Sequence, residues 1–393
     1  MSKRYGFTKF SCYIGLVVQA IVNNFLPILF IALQENYGLS YEQLGRIILI
    51  NFGTQIFADF MSPKLANRFG YKITAFLCQF LAALGLSSLA VLPLIIKNTY
   101  IAIIIPVIIY AFGSGIMEVI LSPMVELLPS KNKGAGMAFL HSFYCWGQAF
   151  TVIGTTALVK IFGYGNWNFI PLVWAVIPFL NMFSFFAVPI IEPTEDDKKA
   201  KISFLLKDKT FICFMIFMVC AGASEITMAE WASLFAQRAL GISKVAGDLL
   251  GPCAFAIFMG SGRIIFGALS GKISVRKVFI INNILCAICY LLVAFCNISV
   301  AALIACALCG FSVSLSWPGT YSMATAHFHT AGTAMFSVLA LCGDFGCSFG
   351  PWLLGFVADL TGLHSGFAVS AFFPLIMIVT ALFFLKEKDC KIS

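Results

Sequence analysis

Five ionisable side chains stand inside long apolar runs of this sequence. They are Glu118 in GSGIMEVILSP, His141 in FLHSFYCWGQ, Glu225 and Glu230 in GASEITMAEW, and Asp344 in LCGDFGCSFGP. An ionised group in such surroundings costs roughly a few kcal/mol or more, so it is kept where it faces a cavity, a partner or a proton. A carboxyl and an imidazole at one depth can trade a proton near neutral pH, because each group's environment shifts the other. Proton carriage by Glu118, His141, Glu225 and Asp344 is therefore the chemistry these residues suggest. Glu230 is five residues beyond Glu225, about 140° around a helix. The two cannot both face one cavity, and Glu225, sharing its side with Met228 and Ala232, is the expected inward group.

The elements that carry these residues follow from composition. The chain has 393 residues, 60% hydrophobic and 11% charged, with a mean hydropathy of +0.96. Soluble domains carry about 25% charged residues, so the solvent of this chain is lipid. Apolar stretches long enough to cross a bilayer as helices recur at 10–33, 43–62, 73–95, 99–127, 135–158, 167–190, 210–236, 248–270, 278–297, 299–324, 331–357 and 364–385. The expected fold class is an all-α polytopic membrane protein with twelve transmembrane helices in two six-helix pseudo-symmetric halves. The basic N-terminal decapeptide reads as the flank of a first span that is retained.

Charge orients the spans. Of the 25 Lys and Arg, nineteen fall on the side that is cytoplasmic if the N-terminus is inside. Both termini are then expected in the cytoplasm of a multi-pass plasma-membrane protein. The net charge of +8 is a topology signal, and no nucleic-acid partner is expected. EPTEDDKKAKISFLLKDK, 192–209, reads as a cytoplasmic linker between a half at 1–191 and a half at 210–393. Sliding the chain on itself lays AGMAFLHSFYCWGQ (135–148) over AGTAMFSVLALCGD (331–344), with Gln148 over Asp344. Parallel repeats with a solute held between them are a transporter plan.

Other polar residues inside the spans complete a candidate site. Gln19, Asn23, Asn24, Tyr144, Trp146, Gln148, Trp231, Asn283 and Trp317 supply amides and rings suited to a small polar solute. Asp59, Arg68, Gly70, Lys72, Glu126 and Arg263 lie toward cytoplasmic ends and read as gate or structural residues. Among them Arg68 is expected to meet Glu126, and Arg263 to snorkel or to meet Asp344. Most of the fourteen Cys sit in apolar runs and behave as small hydrophobes, the spacings Cys286/Cys289 and Cys306/Cys309 included. His327 and His329 lack a third nearby metal ligand. No cofactor, metal or enzymatic activity is expected.

Twelve spans, the central linker and the short basic segment PKLANRFGYK together resemble the major facilitator superfamily. That segment keeps Arg68, Gly70 and Lys72 of the family's loop signature, with Pro63, Asn67 and Tyr71 where Gly, Asp and Arg are usual. Within the family, GSGIMEVILSP is similar to the fucose-permease and glucose/galactose-transporter group, whose Gly-rich fourth span carries a Glu at the position of Glu118. Those proteins have an Asp in the first span, where this chain has Asn23 and Asn24. The resemblance implies alternating access, a small-molecule substrate with sugar first, and a proton as coupling ion with sodium the other candidate. A monomer is the expected state. Drug or metabolite efflux and a non-cycling solute sensor are the alternative readings.

Overall fold

The computed structural model describes residues 5–29, 33, 36–39, 41–130, 132–192, 205–238, 240–269, 272–296, 298–328 and 332–383. Most of the 192–209 linker, together with Lys131 and His329, lies outside the described residues. The helices are α1 (Gly6–Ile28), α2 (Tyr41–Ile95), α3 (Thr99–Glu126), α4 (Lys133–Phe162), α5 (Phe169–Ala187) and α6 (Lys209–Arg238). They continue as α7 (Ala254–Leu269), α8 (Val275–Phe295), α9 (Ser299–Val313), α10 (Ser316–His327), α11 (Gly332–Thr361), α12 (Leu363–Ser370) and α13 (Phe372–Phe383). A short helix, Lys244–Asp248, and a π-helical turn, Leu249–Cys253, lead into α7.

Eleven helical stretches among the described residues are long and apolar enough to cross a membrane. The expected twelve is recovered because α2 holds two spans. Its helix runs to residue 69, reverses at Gly70 (φ 75°, ψ 165°) and resumes at 71. The turn expected over 63–72 is thus a single residue. Only glycine suits that backbone, and a Cβ there would also meet the Glu192 carboxylate at 2.9 Å. The segment expected as span ten is α9 followed by α10, interrupted at Ser314 and Leu315, with Pro318 in the first turn of α10.

Helix starts follow local polar chemistry. The Asn98 side chain accepts from the Ile101 amide, 3.2 Å, at the head of α3. Asp208 accepts from the Thr210 and Phe211 amides, 2.7 and 3.2 Å, at the head of α6. These bonds satisfy donors that a helix N-terminus leaves over.

Side chains are sorted for lipid. Phe57, Phe60, Leu94, Phe183, Ile288 and Phe372 face outward, whereas Gln55, Asp59, Gln79, Ser114, Thr151 and Asn283 are fully buried. Water would demand the reverse.

The chain forms two compact units. One is Met1–Pro129 with Phe150–Thr194, and the other is Ser130–Ala149 with Glu195–Ser393. The first part of α4, with His141, Tyr144, Trp146 and Gln148, therefore packs in the second unit. In the first unit α2 packs along α3 and α5. In the second, α6 lies along α11 with Gly346 against the Val219 carbonyl and Gly222 against that of Gly343. Neither position has space for a Cβ, so the two backbones touch directly.

Candidate functional site

Each unit holds a buried polar centre. In the first, Glu118 of α3 is 7% exposed and accepts a hydrogen bond from Gln19 Nε2 of α1. Helix α3 approaches α2 closely at Gly115, where a Cβ would lie 2.9 Å from Gln55 Cα. One turn along α1 from Gln19, Asn23 Oδ1 accepts from Asn51 Nδ2 (3.2 Å) and Gln55 Nε2 (2.9 Å) of α2. Asn51 Oδ1 and Gln55 Oε1 are left as buried acceptors without a partner. A cavity of about 10 Å³, room for about one water, is lined by Asn23, Asn51, Tyr110, Leu26, Ile47 and Phe52. Pro27 stands four residues beyond Asn23 and has no N–H to give the Asn23 carbonyl.

The second centre is charged. Arg263 of α7 is 2% exposed, and its Nη2 lies 3.0 Å from Glu225 Oε2 of α6. Its Nη1 donates to the His141 carbonyl (2.7 Å) and its Nε to the Ser314 carbonyl (3.2 Å). Arg263 neither snorkels nor lies at a helix end in contact with lipid. Glu225, which the sequence had not paired with Arg263, is a carboxylate partner in this geometry. A guanidinium with donors on three sides can meet a carboxylate and two carbonyls at once. The His141 ring lies 5.6 Å from the Tyr321 ring, and Tyr321 is 5.0 Å from Phe336 and 6.4 Å from Trp317. Trp317 packs on Gly343, and its Nε1 is a buried donor without a partner. Trp146 lies over Gly260, and Trp231 over Gly355.

The remaining candidates divide. Gln148 and Asp344, aligned by the repeat, are buried at 3% and 2% in the second unit. Asn283 is fully buried, its Nδ2 bonded to the Phe279 carbonyl in its own helix and its Oδ1 without a partner. Asn24 likewise bonds to its own helix, at the Ala20 carbonyl. Tyr144 is half-buried, as are Glu126 and Glu230. Asp59 is fully buried within α2. Arg68 is exposed with its guanidinium 5.4 Å from the Phe69 ring. At the Gly70 turn the Tyr71 and Lys72 amides donate to the Glu192 carboxylate, 2.6 and 3.1 Å.

Sequence reasoning missed Asn51, Gln55, Ser314 and Glu192. Asn51 and Gln55 are spaced i, i+4 and so share a face of α2, a signal that was available. The Ser314 carbonyl carries a weaker signal, in Pro318 four residues on. The reach of Glu192 to residues 71 and 72 has none.

The Major Facilitator Superfamily model matches residues 12–351 and, again, 253–391. The chain belongs to the Major Facilitator Superfamily. It is therefore a multi-pass membrane transporter and not an enzyme. An uncharacterized MFS-type transporter of Yersinia pestis is 22% identical over 354 residues, covering 88% of this chain and 87% of that one. Among solved structures, the E. coli fucose:proton symporter FucP superposes with a TM-score of 0.79 at 17% identity, over 98% of this chain and 100% of that one. The proton:xylose symporter XylE gives 0.85 at 12% identity, over 98% and 96%. At these identities the likeness is one of fold.

Proposed function

We propose that this family member is a proton-coupled symporter that moves a small neutral polar solute, a sugar first, across the plasma membrane by alternating access. The observation that carries the reading is Glu118, an acidic side chain buried inside an apolar helix and held by the Gln19 carboxamide. An amide serves both states of a carboxyl. Its NH2 donates to the anion, and its oxygen accepts from the acid. Glu118 can then gain and lose a proton without leaving a buried group unpaired. Neutralising it lowers the cost of carrying it through a reorientation.

Gln19, Asn23, Trp146, Asn283 and Trp317 are the groups we assign to the solute, with Glu225, His141 and Asp344 as further participants in coupling. Unpartnered acceptors in the first unit and the Trp317 donor in the second suit hydroxyls, which both give and take hydrogen bonds. That two solved proteins of the same fold are described as fucose:proton and proton:xylose symporters supports this choice of solute and ion. The loop charges support cytoplasmic termini, and a monomer is the simplest state.

The test is proton movement in vesicles holding the purified protein, with L-fucose and D-xylose as first probes. External alkalinisation on adding one of them, abolished in Glu118→Gln while binding persists, is the expected result. Solute flux with no proton movement would sink the coupling. Labelling of a cysteine placed at 198 from outside the cell would sink the orientation.

A further inference from the structure

Arg263 does more than neutralise Glu225, because of what its other donors hold. Ser314 follows the end of α9, and its carbonyl points toward residue 318 as the chain continues into α10. In an unbroken helix that carbonyl would accept from the residue 318 amide. Residue 318 is proline and has none. Arg263 Nε, at 3.2 Å, supplies the missing donor from a different helix. The same guanidinium meets Glu225 Oε2 at 3.0 Å and the His141 carbonyl at 2.7 Å. One buried side chain thus joins α4, α6, α7 and the α9–α10 bend. Helix α10 carries two polar groups without partners, Ser316 Oγ and Trp317 Nε1, both within one turn of the bend.

We infer that Arg263 is a positioning residue that ties the charge on Glu225 to the placement of α10, and so to the aim of Ser316 and Trp317; the inference rests on the coupling role proposed above for Glu225. Neutralising Glu225 removes the charge-assisted bond at Nη2 and frees the guanidinium to turn. As it turns, the Ser314 carbonyl loses its donor, and Pro318 offers no replacement. The bend then settles elsewhere. The titratable and charged groups around this point are Cys145 and His141 on α4, Glu225 itself on α6, Arg263 on α7, Tyr290 on α8, Tyr321 on α10 and Asp344 on α11. Cys145 Sγ lies 3.7 Å from the His141 carbonyl, and Tyr290 donates to the Ser224 carbonyl next to Glu225.

The test needs no solute. The full chain is placed in lipid nanodiscs, and the Trp317 emission is taken as the difference between wild type and Trp317→Phe. Its quenching by acrylamide is followed from about pH 5 to about pH 9. Wild type is expected to show one titration step. Glu225→Gln should hold the acid-side value throughout. Arg263→Lys, a point charge that cannot fork to three partners, should displace the step. Pro318→Ala restores an amide to Ser314 and should abolish the step, because α10 no longer depends on Arg263. It therefore decides the matter if an Arg263 variant fails to fold. A wild-type step that survives in Glu225→Gln or in Pro318→Ala overturns the inference, as does the absence of any step in wild type. If the step is present but solute drives no proton uptake, the symport reading alone fails. If uptake through Glu118 is intact and the step absent, the positioning role alone fails.

Discussion

The two buried polar centres solve one problem with different chemistry. In the first unit Glu118 is met by an amide, and a second cluster beside it, Asn23 with Asn51 and Gln55, is neutral throughout. In the second unit Glu225 is met by a guanidinium that also binds two main-chain carbonyls. Each centre also has a carbonyl whose helical donor is replaced by proline, Asn23 before Pro27 and Ser314 before Pro318. At the first the carbonyl belongs to a cavity-lining residue. At the second Arg263 fills the role. Neutral amides tolerate a change in proton occupancy with little penalty. A buried ion pair does not, since removing one member leaves the other's charge in a low dielectric. On the proposed reading, the first centre would titrate quietly and the second would report titration as movement.

The largest expected effect tests the charged centre. Arg263→Met leaves Glu225 without its cation and should lower stability by about 3–5 kcal/mol. Thermal unfolding in detergent would show this as a large fall in midpoint. Adding Glu225→Met to it should restore most of the loss, and a double variant no better than the single would show the pair is not the unit of stability. Next comes the neutral cluster. Asn23→Leu strands the Asn51 and Gln55 amide donors and should cost about 1–3 kcal/mol, independent of pH from about 5 to 8 because the three partners do not titrate there. A pH-dependent loss would mean that a nearby carboxyl shares the cluster.

Smaller still is Glu118→Gln. An amide facing an amide keeps a hydrogen bond with Gln19, so stability should change by less than about 1 kcal/mol while proton-coupled uptake is lost. A large destabilisation would remove the contrast drawn between the two centres. The least effect is expected at Glu192→Gln, which keeps an acceptor for the Tyr71 and Lys72 amides but removes its charge. Hydrogen exchange at those amides should rise modestly with little change in unfolding midpoint. A change that reached α1 or α3 would show the Gly70 turn is coupled to the Glu118 centre.

How far the sequence could be read depended on the range of the interaction. Spans nine and ten, separated on paper by NIS alone, are separate helices ending at Phe295 and starting at Ser299. Hydropathy and a few turn residues suffice for that, because a backbone in lipid must satisfy its own hydrogen bonds along each span. The same rule made the polar interlopers visible, Glu118, His141, Glu225, Arg263 and Asp344 all proving buried. Their partners were not visible. Gln19 and Glu118 are 99 residues apart, and Glu225 and Arg263 are 38 apart on different helices. Which side chains meet depends on the rotation and lateral order of packed helices, and no local pattern encodes those.

By itself, then, this sequence determined a polytopic helical transporter fold and the small set of polar residues it buries. The price of a polar group in hydrocarbon is a local quantity, and it can be read one residue at a time. Only the tertiary structure decided that Arg263 closes the gap left by Pro318 and answers Glu225, and that Glu118 rests on Gln19. Those choices follow from close helix approach at glycine contacts such as Gly115 and Gly346, where backbones touch and fix which faces oppose each other.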